Sequence, residues 1–163
     1  MIEADVRVRL AESGDIDALL PLVSAYRVFY RQQPDSSRER AFVESHLRNA
    51  SSTIYVAESN DTIVGFTQLF KTFSTVHLSC AYILEDLFVR PEYRGAGIAT
   101  ALLERACRHA ADAGASGMFL ETAFDNKIAQ RVYERCGWTR EDRFFKYNAP
   151  LKPRRANEDT ASC

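Results

Sequence analysis

The residues from Ile83 to Ala113, ILEDLFVRPEYRGAGIATALLERACRHAADA, constrain this chain more than any other stretch. Ile83 to Val89 is an apolar run rich in β-branched and aromatic residues, Pro91 ends it, and Arg94-Gly95-Ala96-Gly97-Ile98-Ala99 leads directly into a long helical pattern. A strand, a glycine turn and a helix in that order aim several free backbone N–H groups at one point. The first helical turn adds unsatisfied donors and the positive end of the macrodipole, which makes the junction a seat for phosphate. Without a Cβ, Gly95 and Gly97 permit positive φ and let a ligand oxygen approach the main chain.

Spacing separates the phosphate loops that such a turn can be. A dinucleotide GxGxxG would need a third glycine where Thr100 stands, and a Walker loop would need a lysine that the turn lacks. What fits is Arg-x-x-Gly-x-Ala placed after Leu-Phe-Val-x-Pro-x-Tyr. The stretch LEDLFVRPEYRGAGIA resembles the acetyl-CoA pyrophosphate loop of the GNAT superfamily of N-acetyltransferases. The resemblance implies that acetyl-CoA lies along Leu87, Phe88, Val89, Arg94, Gly95, Ala96, Gly97, Ile98, Ala99 and Thr100. A second stretch, from Asn126 to Trp138, resembles the other GNAT motif, N-x-x-A-x-x-x-Y-x-x-x-G-[FW]. Ala129 and Tyr133 share one helix face by i,i+4 spacing, with Asn126 one turn earlier. By that resemblance Asn126 hydrogen-bonds the pantetheine arm and Tyr133 stands near the thioester sulfur. Together the motifs cover about 84–138.

Around this centre the pattern predicts a strand at Val6–Leu10. A helix capped by Ser13 or Asp15 then runs to about Arg31, kinked or delayed by Pro21. A second helix opens on a Ser36-Ser37-Arg38-Glu39 capping box and runs to about Asn49, with Ala41, Phe42, Ser45 and Leu47 toward the core. Two strands, Thr53–Glu58 and Thr62–Leu69, flank a Ser59-Asn60-Asp61 turn, and Lys71 to Leu78 reads as a loop. The central strand covers about Cys80–Val89. The helix after the glycine turn carries Ile98, Leu102, Leu103, Ala106, Cys107 and Ala110 on one side and stops at Gly114. A short strand at Ser116–Glu121, a helix at Lys127–Cys136 closed by Gly137, and strands at Trp138–Arg140 and Arg143–Tyr147 complete the reading. The fold class expected is α/β (α+β): one GNAT-like domain over 1–150, its mixed, mostly antiparallel sheet splayed at two central strands, helices on both faces. A frayed tail follows at 151–163.

The chemistry implied is acetyl transfer to a primary amine. Such an amine has a pKa of roughly 10.4 and must lose a proton before it attacks a thioester. Candidate bases are Glu85, Asp86 and Glu121. Glu85 and Asp86 point to opposite faces of a regular strand, so only one faces the cleft unless a β-bulge turns both inward. LEDLFVRPEYRG is similar to the segment of diamine and polyamine acetyltransferases whose acidic pair lies by the acceptor amine, whereas Leu120-Glu121, five residues before Asn126, resembles the base-bearing segment of ribosomal-protein N-terminal acetyltransferases. The ET-x-x-x-N, AQ-x-x-Y and FFKY elements resemble small histone and polyamine acetyltransferases. A backbone N–H around Phe88 or Val89 would polarise the carbonyl, and Tyr133 would donate to the leaving sulfur. Tyr26, Phe29 and Tyr30 offer cation–π contacts on the acceptor side.

A formal net charge of −1 gives no footprint for nucleic acid or for an anionic membrane. The N-terminal MIEADVRVRL has no apolar core of signal-peptide length, so a cytoplasmic location is expected. Cys80, Cys107, Cys136 and Cys163 show no CxxC or Cys/His ligand spacing, and reduced thiols without a metal are expected. Cys136, beside the second motif, keeps a covalent intermediate open as an alternative to direct transfer in a ternary complex. The expected acceptor is a small-molecule amine and the expected assembly a homodimer. Acetylation of a protein N-terminus or lysine, and a non-catalytic acyl-CoA sensor, stand as alternatives.

Overall fold

The computed structural model describes residues 6–151, so most of the expected tail lies outside the described residues. Five strands, Val6–Leu10 (β1), Thr53–Ser59 (β2), Thr62–Ser74 (β3), Ser79–Val89 (β4) and Met118–Phe119 (β5), form one sheet in the order β1-β2-β3-β4-β5. The first four pair antiparallel and β5 joins β4 in parallel. The β2–β3 hairpin closes on Asn60 and Asp61 at φ 49° and 59°, the left-handed pair that a two-residue turn requires to match strand twist. Four helices cover the two faces: Ile16–Phe29 (α1), Ser36–Asn49 (α2), Ile98–Asp112 (α3) and Lys127–Arg135 (α4).

Each face has its own core. Leu102, Leu103 and Ala106 of α3 meet Tyr55, Val64, Leu69 and Leu84 on one side, with Tyr133 and Trp138 packed against them. On the other, Leu19 and Leu22 of α1 and Val43 of α2 meet Ile54, Val56, Phe66 and Phe88. Strand alternation alone would put Leu84 and Phe88 on the same face. They are on opposite faces because Leu69 pairs with Leu84 and Gln68 with Asp86, leaving Glu85 as an extra residue in β4.

Several expectations are corrected. α1 runs through Pro21 without interruption, after a single 3₁₀ turn at Ser13–Asp15. α2 is capped by Asp35, whose carboxylate accepts the Arg38 N–H at 3.1 Å, and it buries Glu39 and Val43, while Ala41, Phe42 and Ser45 are exposed. The reason is an ion pair: Arg27 of α1 meets Glu39 at 2.5 Å, which lets a carboxylate occupy the buried stripe. β3 continues to Ser74 because its ladder with β4 extends to the Ser74–Ser79 pair. Cys107 is exposed, one position off the buried stripe of α3. β5 is only two residues long, and Trp138–Arg140 and Arg143–Tyr147 are not strands: aromatic alternation favours extended chain, but no neighbouring strand pairs with them.

Candidate active site

The cofactor side is built by a strand that loses its neighbour. β5 pairs with β4 only at Tyr82–Met118 and Ile83–Phe119, so from Leu84 onward one edge of β4 is open. Arg90 N–H donates to Val64 C=O at 2.9 Å, and antiparallel partners alternate between bonded and unbonded pairs. Phe88, opposite Phe66, is therefore held within the ladder, whereas Leu87 and Val89, opposite Thr67 and Gly65, turn their N–H groups to the open side. Val89 C=O is taken there by Arg94 Nε at 3.0 Å, and the Arg94 guanidinium lies 5.7 Å over the Phe88 ring. Of the two expected oxyanion donors, Phe88 and Val89, only Val89 has its N–H on the open side, and the Leu87 N–H lies there as well. Phe88 has no N–H to spare.

At the end of β4 a 3₁₀ turn, Pro91–Tyr93, feeds the glycine loop. Gly95 and Gly97 have φ of 84° and 80°, and a Cβ built on either would meet nothing within 4 Å. Backbone conformation, not lack of room inside the protein, demands glycine there, and the space in front of the loop is open to a ligand. Gly97 is the N-cap of α3 without a side-chain cap, so the first N–H groups of the helix stay available. Arg94, Ala96 and both glycines are exposed, Ile98 is buried against the α3 core, and Ala99 and Thr100 are half-buried. This loop fits the pyrophosphate of acetyl-CoA. Asn126 caps α4 by accepting Ala129 N–H at 3.3 Å, and Gly137 at φ 84° closes the helix with Trp138 N–H donating to Tyr133 C=O.

On the other face of the sheet a cavity of about 620 Å³ lies between α1, α2 and the strands, where the expected acceptor residues Glu85, Asp86 and Tyr26 come together. Its walls include Tyr26, Phe42, Phe66 and Phe70, with Arg27, Arg38 and Glu39 toward the helices and both Glu85 and Asp86 on β4. The bulge does what a regular strand cannot, bringing consecutive carboxylates to one cavity. Asp86 is the more buried, and burial, with Glu85 adding repulsion, pushes its carboxyl up to about 6 against a hydrogen bond from Tyr26. Tyr26 stacks edge-on with Phe66, Phe88 and Tyr30 at 5.1 to 6.0 Å, and burial and the Asp86 charge push its phenol upward. Tyr133 of α4 reaches the same neighbourhood, its phenol pushed up to about 12 by burial and by nearby Tyr30.

Glu121 stands elsewhere. It is exposed, two residues past β5, and ion-paired with Lys146. Ala129 is half-buried beside Asn126, and Tyr30 is exposed at the end of α1. Sequence reasoning missed Arg27–Glu39, Phe66, Phe70 and Gln68, whose side chain donates to Ser52 Oγ at 2.7 Å. A glutamine inside the apolar run TIVGFTQLF was the available signal for the last. Among the described residues no group of His, Cys, Asp or Glu is arranged to hold a metal, and no helix is long and apolar enough to cross a membrane.

An open strand edge leading into a helix-capping glycine loop, with an acidic aromatic cavity on the opposite face of the same strand, defines a thioester-dependent acyltransferase. The model of the Acetyltransferase (GNAT) family matches residues 17–138, and the chain belongs to that family; it is a GNAT N-acetyltransferase. It is 40% identical over 149 residues to the uncharacterized N-acetyltransferase YhfO of Bacillus subtilis, covering 90% of this chain and 100% of that protein. A crystal structure of a probable acetyltransferase superposes with a TM-score of 0.85 at 35% identity, covering 90% of this chain and 99% of the other. Thialysine N-epsilon-acetyltransferase of Bos taurus is 28% identical over 144 residues, 82% of this chain and 84% of that protein.

Proposed function

We propose that this enzyme uses acetyl-CoA to acetylate the primary amine of a small cationic molecule such as a diamine or polyamine. The observation that carries this reading is the β4 bulge, which directs Glu85 and Asp86 together into a cavity lined by aromatic rings. Two carboxylates can serve one amine each, and the rings suit an alkyl chain between them. The thialysine enzyme, by its name, acts on an ε-amine, which fits a primary alkylamine acceptor.

In this reading Asp86 takes the proton from the incoming ammonium, since its carboxyl titrates near 6 and Glu85 and Glu121 are exposed. Glu85 holds the acceptor's second cation at the rim. The N–H groups of Val89 and Leu87 donate to the thioester oxygen as negative charge builds on it. Tyr133 hydrogen-bonds the departing sulfur. With a phenol near 12 and a thiol near 8.5, full proton transfer from Tyr133 is uphill by about 5 kcal/mol, so it donates a hydrogen bond and keeps its proton, and the thiolate's proton comes from the acylated nitrogen. Glu121 is the alternative base, from the β5 side. The setting proposed is cytoplasmic, consistent with the free thiols Cys80, Cys107 and Cys136, and the working form a homodimer.

Thiol release measured across diamines, polyamines, lysine peptides and peptides with free N-termini tests the reading. The highest kcat/KM is expected with diamines or polyamines. Preference for peptides would replace the acceptor class, and binding of acetyl-CoA without release for any amine would make the chain a sensor.

A further inference from the structure

Two of this chain's arginines sit half-buried against carboxylates, and they are bonded differently. Arg9 is saturated: its two terminal nitrogens donate to both oxygens of Asp15, to Glu58 and to Leu10 C=O. Arg27 is exposed to a similar degree, 30% against 24%, yet it donates through Nη1 to Glu39 alone. Among the described residues its Nη2 and Nε have no protein acceptor. Glu39 cannot move to serve them, because its side chain is 4% exposed and the same oxygen accepts the Asp35 N–H at 3.1 Å. The buried carboxylate therefore pins one arm of the guanidinium and leaves the rest of the fork at the wall of the acceptor cavity, which Arg27 lines. Arg38, beside Glu39 in the chain, lines the same cavity and is tied to Asp35 only at 3.9 Å.

The fork of a guanidinium matches a carboxylate in shape as well as charge, and the bonds between them are among the strongest a neutral-pH site can make. The charges of the cavity say what else such a ligand carries. Glu39, Glu85 and Asp86 set three carboxylates against the two guanidiniums, so the walls hold one negative charge in excess. A plain diamine brings two positive charges and nothing for an arginine. A diamine that also bears a carboxylate brings one net positive charge and a group for each kind of wall. We propose that Arg27, assisted by Arg38, forms a carboxylate-binding subsite of the acceptor cavity, and that the acceptor is a diamino monocarboxylic acid. One amine meets Asp86, a second ammonium meets Glu85, the carboxylate meets the guanidinium, and the methylene chain lies along the rings of Phe66 and Phe70. This rests on the small-amine reading and narrows it to diamines with an acid group.

Matched pairs of acceptors that differ by one carboxylate test it: lysine against 1,5-diaminopentane, and ornithine against 1,4-diaminobutane, each followed by thiol release from acetyl-CoA. The parent enzyme should favour each amino acid over its diamine by about tenfold or more in kcat/KM, the size of a lost charge-assisted hydrogen bond. In the double change Arg27→Gln, Glu39→Gln, which leaves no buried charge unpaired, the amino acids should lose about tenfold, mainly through KM, and the diamines less than about threefold. Equal rates for each pair in the parent, or a preference for the diamines, overturns the subsite and leaves the small-amine reading standing. A double variant that loses equally on both members of each pair makes Arg27 a structural residue and overturns the subsite too. Release with peptides alone, or with no amine, overturns the small-amine reading and the subsite with it. If the double variant does not fold, the parent's ratio between lysine and lysinamide decides: about tenfold in favour of lysine upholds the subsite, and equality overturns it.

Discussion

Tyr26 of α1 faces the Asp86 carboxylate of β4, where its hydroxyl favours the ionised form, and that carboxyl is still pushed up to about 6. Burial and the charge of Glu85 therefore outweigh the phenol. A carboxylate held in that balance is charged at neutral pH yet basic enough to accept a proton.

Asp86→Asn should abolish the acidic limb of kcat/KM, which in the parent enzyme is expected near pH 6. Stability should change in a defined direction as well. The folded carboxyl binds its proton more tightly than the unfolded one, so stability of the parent falls as pH rises from about 4 to about 6, and the Asn variant should lose that fall. Denaturant titrations at pH 4 and pH 7 measure it. A persisting limb, together with a neutral-pH defect in Glu121→Gln that recovers at higher pH, would move the base to Glu121.

Tyr133→Phe removes one hydroxyl and keeps the ring against Trp138, 6.3 Å away. Acetyl-CoA affinity and stability should barely move. Positioned proton donors contribute about 10²–10⁴-fold, and since Tyr133 only shares its proton, a loss at the lower end, about 10²-fold in single-turnover transfer, is expected. A loss below about threefold would leave Tyr133 as a packing residue.

Gly97→Val places a β-branched residue at φ 80°, a conformation such residues rarely adopt, and fills the space in front of the loop. Acetyl-CoA binding by calorimetry should collapse while the circular dichroism persists. Arg94→Ala should weaken binding less, because the backbone donors remain.

Gly65→Ala tests the close approach of β3 to β4. A Cβ there would stand 2.9 Å from the Phe88 carbonyl oxygen and 3.3 Å from Leu102 and Val89 side-chain atoms. The expected cost is about 1–3 kcal/mol by chemical denaturation. Turnover of the folded fraction should fall as well, since Val89 lies directly opposite.

The cofactor half of this site could be read from sequence because it is local. Strand, glycine loop and helix from Leu84 to Thr100 are consecutive, and each glycine has its own backbone reason. The acceptor half depends on residues far apart in the chain. Glu39 enters the core only because Arg27, twelve residues earlier, meets it there, and no periodicity in α2 alone shows this. The bulge was foreseen only as a condition, since the partner residues Gln68 and Leu69 give no local sign of a shifted register. The last two expected strands failed for the converse reason: Phe144, Phe145 and Tyr147 have strand propensity, but propensity names no partner.

The single unpartnered residue Glu85 makes β4 a strand with two phases. Before it, Tyr82 and Leu84 face α3; after it, Asp86 and Phe88 face α1 and α2. Deleting Glu85 alone would therefore remove the bulge itself: Leu84 and Asp86 would become neighbours on opposite faces, as regular alternation requires, and Leu87, Phe88 and Val89 would keep the faces they have. The ladder would close without a gap, and the cavity would be left with one carboxylate where it has two. The acid pair exists because this strand is one residue longer than its partner.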